Sequence, residues 1–138
     1  MPLVLMPPDV AVIARRDLSF ELASRGDTRP WFTGEVPEQR PADERFVVVE
    51  ALTTRRDDGE MGDFVADVLT QFRIYDPDPR ACKNTAELIN ALIPTLPAGF
   101  EIQDTEHAGG PTEQADPDVP GARRYLVTWW LTAMCEPV

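Results

Sequence analysis

Two tryptophans stand side by side in the segment Arg123–Met134, whose alternation marks it as a β-strand. Tyr125, Val127, Trp129 and Leu131 fall on one side, and Leu126, Thr128, Trp130 and Thr132 on the other, because successive strand side chains point to opposite faces. A core on one side of the sheet can take only one of the two indoles. The second needs a covering helix within the chain or a partner subunit. The adjacent pair Trp31 and Phe32, in the short strand predicted at 31–35, poses the same choice. Trp31, Phe32 and Trp130 are therefore the candidate interface residues.

The remaining segments sort by period. Val10, Ile13, Ala14, Leu18 and Leu22 recur at helical spacing behind a potential N-cap, Asp9, and Gly26 is placed to end the helix. The run Arg45–Leu52 is rich in β-branched residues with apolar side chains on both faces, which predicts a strand covered on each side. Phe64–Tyr75 alternates, with Val68, Thr70, Phe72 and Ile74 on one face. Asp76-Pro77-Asp78-Pro79 then launches a second helix with an apolar stripe of Ala81, Thr85, Leu88, Ile89, Leu92 and Ile93, ended by Pro94 and Pro97. A further strand is expected near 99–108. The resulting order is α-β-β-β-α-β-β. It predicts an α+β domain over residues 1–138, a mixed or antiparallel sheet flanked by two helices, with an N-terminal arm at 1–8 and exposed loops at 53–63 and 109–121.

Charge narrows the function classes. The 138 residues hold 13 basic and 24 acidic groups, a net charge of -11, so polyanions are repelled and a nucleic-acid or anionic-membrane binder is disfavoured. No run approaches the roughly 18 apolar residues that span a bilayer. The apolar opening Met1–Met6 lacks a basic region and meets Pro7-Pro8, so it does not read as a signal peptide, and Cys82 and Cys135 are expected to be reduced, partly buried fillers in a chain made in the cytoplasm.

The residue inventory speaks against catalysis. His107 is the single histidine, and a nucleophilic triad would have to pair it with Ser19 or Ser24, neither in a G-x-S-x-G turn. No phosphate-cradling glycine loop occurs, and Lys83 is the only lysine. No enzyme activity and no cofactor are expected. Asp57, Asp58, Glu60 and Asp63 surround Gly59 and Gly62 and offer the oxygen ligands calcium prefers, but D-D-G-E-M-G-D lacks the EF-hand spacing. That run is either a solvated loop or a weak metal candidate. The carboxylate pairs Glu101/Asp104 and Asp116/Asp118 specify no acid–base chemistry.

Four features in order resemble the tail terminator proteins of long-tailed phages of actinobacteria. An N-terminal helix is followed by Arg40-Pro41 and the strand Arg45–Glu50; a strand ends in Tyr75-Asp76 before an Ala- and Leu-rich helix. Glu106-His107-Ala108-Gly109-Gly110-Pro111 is similar to the family's E-x-x-G-G-P step. Asp116-Pro117-Asp118 and Arg123–Thr128 are similar to its D-P-D loop and R-Y-x-x-T strand. The resemblance covers about Val10 to Met134. It implies a structural virion protein that assembles in the host cytoplasm as a homo-oligomeric, hexameric ring in the neck. The ring caps the tail tube protein, stops its polymerisation and meets the head-tail connector or head-completion protein, while DNA passes the lumen without specific binding. In such a ring Asp57, Asp58, Glu60 and Asp63 are placed at the lumen, where carboxylates repel DNA. The competing readings are another neck protein, a head-completion or connector subunit, and, from a different class, a calcium- or ligand-binding module using loop 57–63.

Overall fold

The alternating and helical periods fold as separate elements in the computed structural model, which describes residues 5–56, 65–118 and 122–137. Along the chain these are β1 (Leu5–Met6), α1 (Val10–Ser24), β2 (Trp31–Thr33), β3 (Phe46–Arg56), β4 (Val65–Tyr75) and α2 (Pro79–Leu92). A 3-10 segment (Ile93–Gly99), β5 (Ile102–Ala115), β6 (Arg123–Met134) and β7 (Glu136–Pro137) follow. Five strands form one mixed sheet in the order β2-β3-β4-β6-β5, with β2 parallel to β3 and every other neighbour antiparallel. β1 and β7 make a separate two-stranded ribbon, so part of the expected arm is ordered as a strand. The fold is α+β, with two helices against a mixed sheet.

Local chemistry starts and stops both helices. The Asp9 carboxylate accepts from the Val12 amide at 3.2 Å, and Gly26, at φ 90°, turns the chain after α1. Asp78 caps α2 by accepting from the Arg80 and Ala81 amides, and Pro79 occupies the first turn, where its missing N–H costs nothing. Both helices lie on one face of the sheet, α1 over β2 and β3, α2 over β6, β5 and β4. Leu18, Leu22, Ile89, Phe72, Val127 and Leu131 close this core with essentially no exposure, each contributing about 1.5–3 kcal/mol relative to a solvated side chain.

β3 is covered on both sides, as its apolar run predicts. Val47 and Val49 enter the main core, while Phe46 and Val48 form a second cluster with Tyr75, flanked by Phe32 and Val36. The Phe46 and Tyr75 rings stack at 4.5 Å, and Phe32 meets Phe46 edge-on at 6.0 Å.

Three expectations need correction. Thr53–Arg56 belong to β3, not to a loop; the ladder resumes at Thr53 opposite Leu69 after a bulge that leaves Leu52 unpaired. Gly109–Ala115 likewise continue β5, although Gly-Gly-Pro reads as a loop signal. Gly110 adopts φ 81° and sits so close to β6 that a Cβ there would lie 2.1 Å from the Leu126 carbonyl oxygen, so the glycine serves a bulge inside the strand. The α2 stripe is buried at Ile89, Leu92 and Ile93 as expected, but in its first half Cys82 and Ala86 take the core positions, one residue from Ala81 and Thr85, which with Leu88 stay half-buried. Small side chains occupy that contact, and the Cys82 thiol donates to the Ile74 carbonyl at 3.1 Å.

Candidate assembly surfaces

Residues from distant segments meet in two polar clusters at one end of the sheet, one around Asp76 and one around its neighbour Tyr75. Asp76 and Asp116 each open a D-P-D corner and each accept a hydrogen bond from the amide two residues on, Asp78 and Asp118, both at 2.9 Å. Asp76 also faces Arg45 at 3.3 Å and Arg29 at 3.7 Å; Arg29 in turn grips Asp27. The Tyr75 hydroxyl donates to Asp116 Oδ2 at 2.8 Å and accepts from Arg124 Nη1 at 3.1 Å. Burial opposes ionisation of Asp116. The Asp118 amide, the Tyr75 hydroxyl and the Arg124 charge outweigh it and hold the carboxyl below the usual carboxylate range. Burial, and the hydrogen bond to Asp116, push the Tyr75 hydroxyl up despite Arg124. The charged pair and the phenol that bridges it can fix two corners relative to each other.

The face of the sheet away from the helices is closed at the Phe46–Val48–Tyr75 cluster and open beyond it. Its cross-strand rows run Glu50–Gln71–Thr128, Thr53–Leu69–Trp130–Glu106 and Arg55–Asp67–Thr132–Asp104. Trp130 is half-buried there, with the Arg55 guanidinium 4.2 Å above its ring. Arg55 also pairs with Asp67 at 3.2 Å, and Arg73 with Glu50 at 3.2 Å. Trp129 points the other way, into the core, where its indole N–H donates to Asn90 Oδ1 at 2.8 Å. The adjacent indoles are thus divided between a core and an open face.

Of the other sequence candidates, Trp31 is only 8% exposed and belongs to the main core, so it presents no interface. The reason is register: Trp31 pairs with Val47 and shares its inward direction, while Phe32 pairs with Val48 and joins the second cluster half-buried. Asp57, Asp58, Glu60 and Asp63 lie outside the described residues. His107 is exposed, edge-on to Trp129 at 5.1 Å, with Nε2 2.8 Å from the Gly110 carbonyl.

A further exposed surface lies on α1. A cleft of about 980 Å³ runs between α1 and the 3-10 segment, lined among others by Arg15, Arg16, Phe20, Arg29 and Trp31. Phe20 is 72% exposed at its rim, and Phe100, next to Gly99, is 87% exposed. Phe20 lies off the buried stripe of α1, and that apolar residue on a polar helix face was the available signal. Along the other flank, β5 is the sheet edge and is exposed over most of its length.

Among the described residues no cluster of three or more His, Cys, Asp or Glu side chains could hold a metal ion, and no helix is long and apolar enough to cross a membrane. No protein-family model matches the chain, and no curated protein matches it.

Proposed function

We propose that this chain is a structural virion protein of a long-tailed phage, the tail terminator that forms a ring on the last tail tube subunits and presents a surface to the head side. The observation that carries the reading is the convergence of its motifs. Arg45, Tyr75-Asp76, Asp116 and Arg124 come from the separate stretches that resemble the family, and they meet in two polar clusters around the adjacent residues Tyr75 and Asp76. Short motifs matched by chance have no reason to meet in space. An exposed edge strand and a half-open sheet face carrying Trp130 are surfaces suited to a protein that assembles.

Electron microscopy of the purified chain, alone and mixed with the tail tube protein, tests this. Rings, or tubes capped at one end, are expected. A chain that stays single and ignores the tube protein removes the reading. Co-purification with the tube protein and not with portal-side proteins separates a terminator from another neck protein.

A further inference from the structure

We infer that β1 is exchanged between copies, so that the Leu5–Met6 strand of one chain pairs with the Glu136–Pro137 strand of the next. The inference rests on the ring reading and names one contact that links the copies.

The complementarity is recorded within the single chain. Leu5 lies opposite Pro137 and Met6 opposite Glu136, antiparallel, in a ribbon apart from the five-stranded sheet. A second copy's β7 offers the same partners in the same register. Exchange therefore requires no surface that the fold has not already built.

The two strands are held unequally. β7 follows β6 after one residue, Cys135, which is buried and ties it to the body of the fold. β1 is tethered through Pro7-Pro8-Asp9, and it packs on β7 and on no other described element to a comparable extent. So short a ribbon is marginal in water, and Met6 stays exposed in it. β1 is the strand that leaves, and β7 the strand that receives.

The hinge favours the outward path. Each proline fixes its φ at about -65°, and Pro8 also biases Pro7 towards extended backbone. Asp9 is committed to capping α1. A short hinge this stiff has little freedom to accommodate the closed ribbon, the condition that favours swapping an element between copies. Donor and acceptor strands differ, so each copy gives β1 on one side and accepts a neighbour's on the other. That is the head-to-tail relation a closed ring needs.

The test takes two variants of the full chain, Met6→Cys and an isotope-labelled Glu136→Cys, refolded together and then mildly oxidised. Facing strand residues lie within disulfide reach, and Cys82 and Cys135 are buried. Circular dichroism establishes that each variant folds; Leu5→Cys and Pro137→Cys replace any that does not. Mass spectrometry is expected to find the two introduced thiols joined, one chain labelled and the other not. A chain carrying both substitutions should give a ladder of linked copies. The inference is overturned if the mixed chains stay unlinked, or if the doubly substituted chain is linked only to itself. Pro7→Gly with Pro8→Gly should lower the linked share several-fold, and an unchanged share would overturn the role of the hinge. Capped tubes with unlinked copies would refute the exchange and leave the terminator reading standing. Linked copies with uncapped tubes would do the opposite.

Discussion

The Tyr75 hydroxyl donates a 2.8 Å hydrogen bond to Asp116 Oδ2, joining the corner before α2 to the corner before β6. Arg124 touches both partners, so the phenol bridges a carboxylate and a guanidinium that are themselves 3.7 Å apart. Tyr75→Phe keeps the stacking on Phe46 and removes only this bridge. Leaving two buried charged groups short of a partner costs about 1–3 kcal/mol, measured as a lower denaturant midpoint at unchanged slope.

The same carboxylate makes stability pH-dependent. Its native pKa is depressed, so its contribution is present above the unfolded-state value of about 4 and is lost as pH falls through the native value. Asp27, held down by Arg29 against the opposing effect of burial, acts in the same direction. Melting temperature should drop as pH is lowered below about 4. Asp116→Asn should melt lower at neutral pH and show a shallower acid limb; an unchanged limb would count against the assignment.

Two glycines with positive φ should respond differently to alanine. At Gly34 a Cβ meets nothing within 4 Å, so Gly34→Ala carries only backbone strain, about 1 kcal/mol. At Gly110 it meets the β6 backbone, so Gly110→Ala must displace β5 and cost about 3 kcal/mol or more. Comparable unfolding energies for the two variants would show that β5 can move away from β6 freely.

The neighbouring tryptophans should also separate by energy. Trp129→Ala opens the core and leaves Asn90 unpaired, for a cost of about 3–5 kcal/mol. Trp130→Ala loses the Arg55 contact on the open face, worth about 0.5–1 kcal/mol, together with part of its packing. Chemical denaturation of both variants measures the difference.

Cys82 should be inert in the folded chain. Burial pushes its thiol up to about 11, and the sulfur is bonded to the Ile74 carbonyl. Cys135 is buried too. A thiol-reactive chromophore should label neither at neutral pH until denaturant is added; rapid labelling of two thiols would contradict the packing.

Much of this architecture is legible in the residues where one physical signal dominates. α1 follows from its 3.6-residue stripe and the Asp9 cap, and β4 and β6 from clean alternation against a one-sided core. Legibility fails where strands leave the core. Thr53–Arg55 and Thr112–Ala115 lie at sheet positions exposed to solvent, so no apolar alternation marks them, and backbone pairing alone keeps them extended. The second half of the α2 stripe, Ile89 and Leu92, is legible, while its first half is not, because Cys82 and Ala86 are small and give little hydrophobic signal. For the candidate surfaces, the sequence singles out Trp130 of the Trp129/Trp130 pair, and Trp130 is the one on the open face, whereas Trp31 of the Trp31/Phe32 pair enters the core. It also gives no hint of the Tyr75–Asp116 bridge, whose partners are 41 residues apart.

β4 and β6 remain in register over all 11 residues of β4, from Val65 opposite Met134 to Tyr75 opposite Arg124, whereas β5 slips against β6 at three places. Amide protons should therefore exchange in a lateral gradient, slowest along the β4–β6 seam and progressively faster toward the β5 margin. A molecule with this gradient can let its outer strand breathe and reshape while the seam keeps time for the whole fold, so local opening at the margin need not register as unfolding.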